Sequence, residues 1–274
     1  MKKFLIILLS FFLLSACSIK EKPENKENFK IGEVLYGRES ISYLVEDEAY
    51  DDEGTYVHEY GKDSKKEPYN NFGKNSHVSQ IIHTKDGKMT VYNTEDDLTI
   101  KDIAKKNDKD VLKLAKKQDK NYFEGEKESL ISSLTSEKED FFSEEEVQQD
   151  KKLAKKVESK KYKLYSPKKM KKLEVETDES GNKTKTEKFP FYNAYIEDDW
   201  YQEGLRTHYK KFNELLHPQK IYKSKFAGLK SLDFDDDIEN PPLRYTYLVT
   251  KVGDKVKKSH FDKADDKYVN VKDE

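Results

Sequence analysis

Beyond its first seventeen residues this chain is short of the side chains that build cores. Leu, Ile, Val and Phe supply only 53 of the 257 residues after Cys17. That is close to the fraction, roughly one-fifth, below which chains of high net charge stay unfolded. Here the net charge is only -2, because 52 Lys and Arg meet 54 Asp and Glu. Eighteen tyrosines add buriable area that carries a polar tip. Such a chain folds around a thin core under a charged coat. The balance of signs excludes a strongly basic nucleic-acid binder as a whole-chain reading. A single cysteine excludes an internal disulfide framework, a zinc knuckle and an iron–sulfur site. We expect no nucleic-acid partner, no metal and no cofactor.

The apolar exception lies at the start. Lys2 and Lys3 precede an apolar run over residues 4–16, broken only by Ser10 and Ser15. As a helix those thirteen residues reach about 20 Å, too short for a hydrocarbon core of roughly 30 Å. A positive start, a short apolar stretch and small residues at its end have the pattern of a secretory signal peptide. The run ends Leu14-Ser15-Ala16-Cys17. This resembles the lipobox of bacterial lipoproteins, and the resemblance covers these seventeen residues alone. It implies cleavage before Cys17, a diacylglycerol on its thiol and an acyl (palmitoyl) chain on its new amino group. The lone cysteine stands at the one position a lipobox needs. The resemblance therefore implies a lipid-anchored protein on the extracytoplasmic face of the cell membrane. Residues 17–28, polar and broken by Pro23, read as a flexible tether, and residues 29–274 as the extracytoplasmic part.

Within that part the patterning predicts an α+β fold: antiparallel sheet packed with several amphipathic helices. Strands are expected over residues 41–45, 78–83 and 88–92, the last two joined at Asp86-Gly87. Thr99-x-x-Asp102 and Ser143-x-x-Glu146 have the capping-box spacing that opens helices. The first helix is expected to run to residue 120, with a break at Asn107-Asp108, and a second over residues 127–136. Leu173, Val175 and Thr177 alternate and begin a hairpin that returns over 183–189. Leu243, Tyr245, Tyr247 and Val249 form a strand. Tyr201, Leu205, Tyr209, Phe212 and Leu216 stand at helical spacing and predict a helix over residues 199–216. An internal boundary is placed near residue 94 or within 136–143.

Chemical motifs are scarce. Asp233, Asp235 and Asp237 begin like a calcium loop, but Ile238 and Arg244 stand where Gly and Glu belong, which excludes an EF-hand. The six histidines lack HExxH spacing, and no GxSxG, P-loop or GxGxxG occurs. Residues 151–172 carry eleven lysines and one acid, preceded by an acidic stretch, which suits a solvated helix with oppositely charged ends. Residues 189–226 hold ten aromatics. Aromatics stack on sugars and anchor protein interfaces, and equally fill cores that lack aliphatics. Trp200, Tyr195 and Tyr192 are the binding candidates among them. The sequence thus favours a surface binding or interaction module, its partner an envelope polymer or a protein. A solute-binding lipoprotein of a transporter comes second and an envelope hydrolase third.

Overall fold

The computed structural model describes residues 22–37, 39–48, 72–136, 143–181, 183–195, 204–233 and 244–272. In chain order these form β1 (Asn28–Phe29), α1 (Ile31–Leu35), β2 (Glu39–Glu48), β3 (His77–Lys85), β4 (Lys88–Asn93), α2 (Ile100–Ala104), α3 (Asp108–Thr135) and α4 (Glu144–Glu158). Then follow β5 (Lys168–Lys169), β6 (Leu173–Thr177), β7 (Thr184–Tyr195), β8 (Gly204–Phe212), β9 (Glu214–Ile221), β10 (Ser224–Asp233), β11 (Arg244–Val252), β12 (Lys258–Ser259) and β13 (Val269–Val271). The fold is mixed α and β, and mostly strand.

Seven strands make the central sheet, in the order β5-β4-β3-β2-β11-β10-β9, every pair antiparallel. A smaller sheet, β13-β6-β7-β8, lies over one face, and β1 pairs with β12. Strand alternation divides the core in two. Tyr43, Ile81, Tyr92, Tyr247 and Val249 point to the α2–α3 side. Leu44, Ile82, Met89 and Leu248 point to the other side and meet Phe189, Phe191 and Phe212 of the smaller sheet. Aromatic rings supply the bulk that aliphatics lack: Phe72 and Tyr43 meet Phe226 edge-on, with centroids 6.4 and 6.2 Å away. Gly228 lets β11 approach β10, since a Cβ there would strike the Leu248 carbonyl. Asp86 and Gly87 turn the β3–β4 hairpin with φ of 51° and 71°, a conformation this pair tolerates well.

Thr99/Asp102 and Ser143/Glu146 both form capping boxes, as the spacing predicts. The expected break at Asn107 is present. The helix beyond it runs unbroken to Thr135, joining two segments read separately from the sequence. Its 28 residues span about 42 Å. Val111 and Ala115 pack on the sheet. Leu130 and Leu134 pack with Ala154 and Val157 of α4 in a separate small cluster, flanked by Ile131 and Leu153. The second half of α3 and all of α4 therefore form an arm. Residues on both sides of position 94 share one core, from Tyr92 to Leu98 and Ile100.

Two expectations need correction. Of the helix expected over residues 199–216, residues 199–203 lie outside the described residues, and from Gly204 the chain forms β8 and then β9, parted at Asn213. Leu205 and Tyr209 are four apart, a spacing that suits a strand as well as a helix, whereas Phe212 and Leu216 fall in different strands and fill the two opposite cores. Nine consecutive pairs, from Glu187↔Phe212 to Tyr195↔Gly204, satisfy the β8 backbone and override the helical pattern. Phe212 and Leu216 are buried as expected, but Tyr209 is 46% exposed. The tether, expected as far as residue 28, ends earlier. Residues Pro23–Asn25 form a 3-10 turn, the Gly253 amide donates to the Glu24 carbonyl at 2.9 Å, and β1 is paired. The described residues start at Lys22.

Candidate binding cleft

A bulge builds the site. Between β2 and β3 the pairing steps from Leu44↔Gln80 to Val45↔Val78, so Ser79 has no partner of its own. Such a bulge re-aims neighbouring side chains. Val78 faces the helix-side core, and both Ser79 and Gln80 line a cleft on the opposite side. The cleft, of about 380 Å³, opens where the smaller sheet crosses the ends of β2, β3 and β4. Leu44, Phe191 and Tyr122 give it apolar walls. Glu46, His77, Asp96, His208 and Lys210 give it polar ones.

Its back wall is tied down. Buried Gln80 donates its amide to Asn93 Oδ1 at 3.0 Å. The Asn93 backbone N–H donates to Asp119 Oδ1 at 2.9 Å, and Tyr162 O–H donates to Asp119 Oδ2 at 2.7 Å. The Glu95 N–H donates to Gln118 Oε1 at 2.9 Å, and Asn121 donates to Glu95 Oε2 at 2.9 Å. Gln118, Asp119 and Asn121 of α3 thus clamp the strand end that borders the cleft. Burial raises the Asp119 carboxyl, and its two hydrogen-bond donors partly offset this.

The front wall is open and charged. Lys210 lies 3.8 Å from Glu46, each side chain about one-third exposed. In water that separation is worth little, so the pair can part for a ligand at small cost. His77 Nε2 lies 3.4 Å from the Glu95 carbonyl, and His208 is exposed. Opposed charges, two imidazoles and two aromatic walls suit a ligand group that carries both hydrogen-bonding atoms and a flat or apolar face.

A second polar cluster is sealed. Glu187 is fully buried and Asp262 is 1% exposed. The Asp262 backbone N–H donates to Glu187 Oε1, while Oε2 has no hydrogen-bond partner among the described residues. Asp262 accepts from the Gly32 N–H at 2.9 Å and the Tyr268 O–H at 2.6 Å. Burial, with each carboxyl's neighbour adding to it, holds Glu187 well above the usual carboxylate range. Burial pushes Asp262 up to about 6. This pair joins α1 and the C-terminal segment to the smaller sheet.

The sequence-derived binding residues fare differently. Tyr192 O–H donates to the Lys169 carbonyl at 2.8 Å and straps β5, away from the cleft. Its neighbour Phe191 reaches the cleft instead, because adjacent strand residues face opposite sides. Tyr195 pairs through its backbone with Gly204, while its side chain, and Trp200, Cys17 and residues 234–243, lie outside the described residues. His77, His208, Lys210, Glu46 and Asp96 carried no local signal, since their convergence depends on the bulge and on the β7–β8 pairing. Among the described residues no group of three or more His, Cys, Asp or Glu is placed to hold a metal ion, and no helix is long and apolar enough to cross a membrane. Compared with known proteins, the chain matches no family model, no curated protein and no solved structure.

Proposed function

We propose that this chain is a membrane-anchored extracytoplasmic lipoprotein, lipidated at Cys17, which serves as a surface binding module through the cleft between its two sheets. The cleft is the observation that carries this reading. It combines a rigid back wall, held by α3, with a front wall of exposed charges whose ion pair exchanges at small cost. A preorganised wall limits the ordering entropy that binding must overcome. The signal-like residues 1–16 and the lipobox supply the support for the anchor. The partner is an envelope polymer or a protein that presents a polar group to the cleft.

A second reading, capture of a free solute for a transporter, is favoured by the volume of about 380 Å³, within the range of small-molecule pockets. Against it, the cleft lies between sheets that share one core, not between two lobes.

Membrane fractionation and mass spectrometry of the N-terminal peptide test the anchor. The wild-type chain should fractionate with membranes and begin at a lipid-modified Cys17, and Cys17→Ala should abolish both. A soluble wild-type chain that retains residues 1–16 would contradict the anchor. Titrating solubilised envelope material into the isotope-labelled chain tests the cleft by NMR. Amide shifts should cluster at Ser79, Gln80, Asn93 and His208. Shifts confined to other residues would contradict the cleft.

A further inference from the structure

The strand ends of the central sheet are unequal. At one end lie the β3–β4 hairpin (residues 85–88), the β9–β10 turn (220–225), the turn after β11 (251–255), β5 and the start of β2 at Glu39. The α2–α3 junction (105–110) joins them, with Lys105 4.3 Å over the Tyr222 ring and Ser224 Oγ donating to the Ala104 carbonyl. Residues 22–27, the first of the described residues, sit here too, bonded to Gly253. Together these segments hold fourteen lysines and seven acids. Lys88, Lys106, Lys109, Lys168, Lys169, Lys220 and Lys223 are exposed, and make no ion pair among the described residues. The cleft is at the other end, where, among the described residues, 45–47, 74–77, 94–97, 213–214, Lys210, Lys230 and Arg244 hold six acids against four cations.

We infer that the basic end is a docking surface for the anionic lipid headgroups of the membrane, and that docking there points the cleft away from the bilayer. The inference rests on the anchored reading above for its geometry. The described residues begin at Lys22, and the five residues from Cys17 reach at most about 18 Å. An anchor at Cys17 therefore holds the basic end, and not the cleft end, beside the headgroups. Acyl chains and a basic patch are the two signals that together give stable membrane attachment. Each lysine near an anionic leaflet contributes about 1 kcal/mol, an attraction that decays within a Debye length of roughly 8–10 Å. Seven lysines that make no ion pair among the described residues on one end are enough to fix orientation, while α4's lysines, out on the arm, are not needed for it.

Vesicle co-sedimentation tests this without the anchor, using a chain that begins at Ser18 and keeps every described residue. Phosphatidylcholine vesicles with about one-third phosphatidylglycerol are compared with phosphatidylcholine alone. The chain should bind the anionic vesicles only, and release in high salt. Lys88→Gln, Lys220→Gln and Lys223→Gln should each lower partitioning about fivefold, the factor that about 1 kcal/mol per lysine corresponds to. Lys151→Gln and Lys155→Gln on the arm should change it less than twofold. Equal binding to both vesicle types, equal loss from the arm variants, or binding to an anionic wall polymer with none to vesicles would each overturn the inference. Because this chain lacks Cys17, its binding stands or falls separately from lipidation. Vesicle binding with an unmodified native Cys17 would refute the anchor alone, and a lipidated Cys17 without vesicle binding would refute the docking surface alone.

Discussion

At the cleft end of the central sheet, carboxylates and imidazoles line a hollow. At the opposite end, lysines crowd the turns and residues 22–27 are bound beside them. A net charge of -2 over 274 residues conceals this division, because Lys and Asp or Glu are interleaved through most of the sequence outside the segment 137–172. Antiparallel pairing produces the sorting. It gathers alternate turns on one side, so lysines from residues 85–88, 220–225 and 251–255 become neighbours although they are far apart in sequence. Polarity of this kind belongs to topology and cannot be read from composition.

The largest expected effect comes from removing the layer that makes one end hollow. Phe212 is fully buried with its ring 6.0 Å from Phe189. Phe212→Ala should cost about 3–5 kcal/mol, measured by urea unfolding. It should disturb the cleft end more than the basic end, seen as lost amide-exchange protection in β7 and β8 before β3 and β4. A mutant with wild-type stability would show that the smaller sheet does not hold the cleft in shape.

The sealed carboxyl pair gives the next largest effect. Glu187 and Asp262 both have raised folded-state pKa values, so their contribution to stability is full below about pH 4 and declines as pH rises, Asp262's being lost through about 6. Over that window Asp262 alone accounts for on the order of 3 kcal/mol. Glu176 acts in the opposite sense. Its hydrogen bond from Lys211 at 2.7 Å, with a second from Thr186, holds it at about 2, so its contribution disappears only in strong acid. Thermal melts should therefore show higher stability at pH 5 than at pH 8, and Glu187→Gln should flatten that slope. A wild-type profile that rises steadily from pH 5 to 8 would contradict the burial of this pair.

Much of the scaffold was legible in the sequence. Two capping boxes, the Asp-Gly hairpin and the Tyr245-Tyr247-Val249 alternation each depend on contacts a few residues apart, and the structure contains all of them. The β8–β9 region was misread because apolar residues four apart suit both periods. What decides between them is β7, which supplies the pairing partner. The cleft was illegible for a related reason. A one-residue bulge at Ser79 leaves no mark in composition, and His208 and His77 come to line one hollow only after two sheets have stacked. Tyr192 was singled out for its aromatic neighbourhood, and strand parity gave the cleft to Phe191.

Smaller effects sharpen the contrast between the ends. Tyr192→Phe removes the hydrogen bond to Lys169 and should cost about 1 kcal/mol, loosening β5 with its two lysines. Lys210→Gln, at the mouth of the cleft, should shift stability by no more than about 0.5 kcal/mol, since its ion pair with Glu46 is solvent-screened. A loss of several kcal/mol in that variant would make Lys210 a structural residue and remove it from the binding wall.

The central claim is that the molecule sits on its membrane with the lysine-rich turns down and the cleft up. Cys17 is the only cysteine, so a chain beginning at Ser18 accepts a single fluorophore through Lys88→Cys or Asp96→Cys. On anionic vesicles that carry a headgroup quencher, the label at position 88 should be quenched and the label at position 96 should not. Equal quenching at both positions, or stronger quenching at 96, would contradict the account.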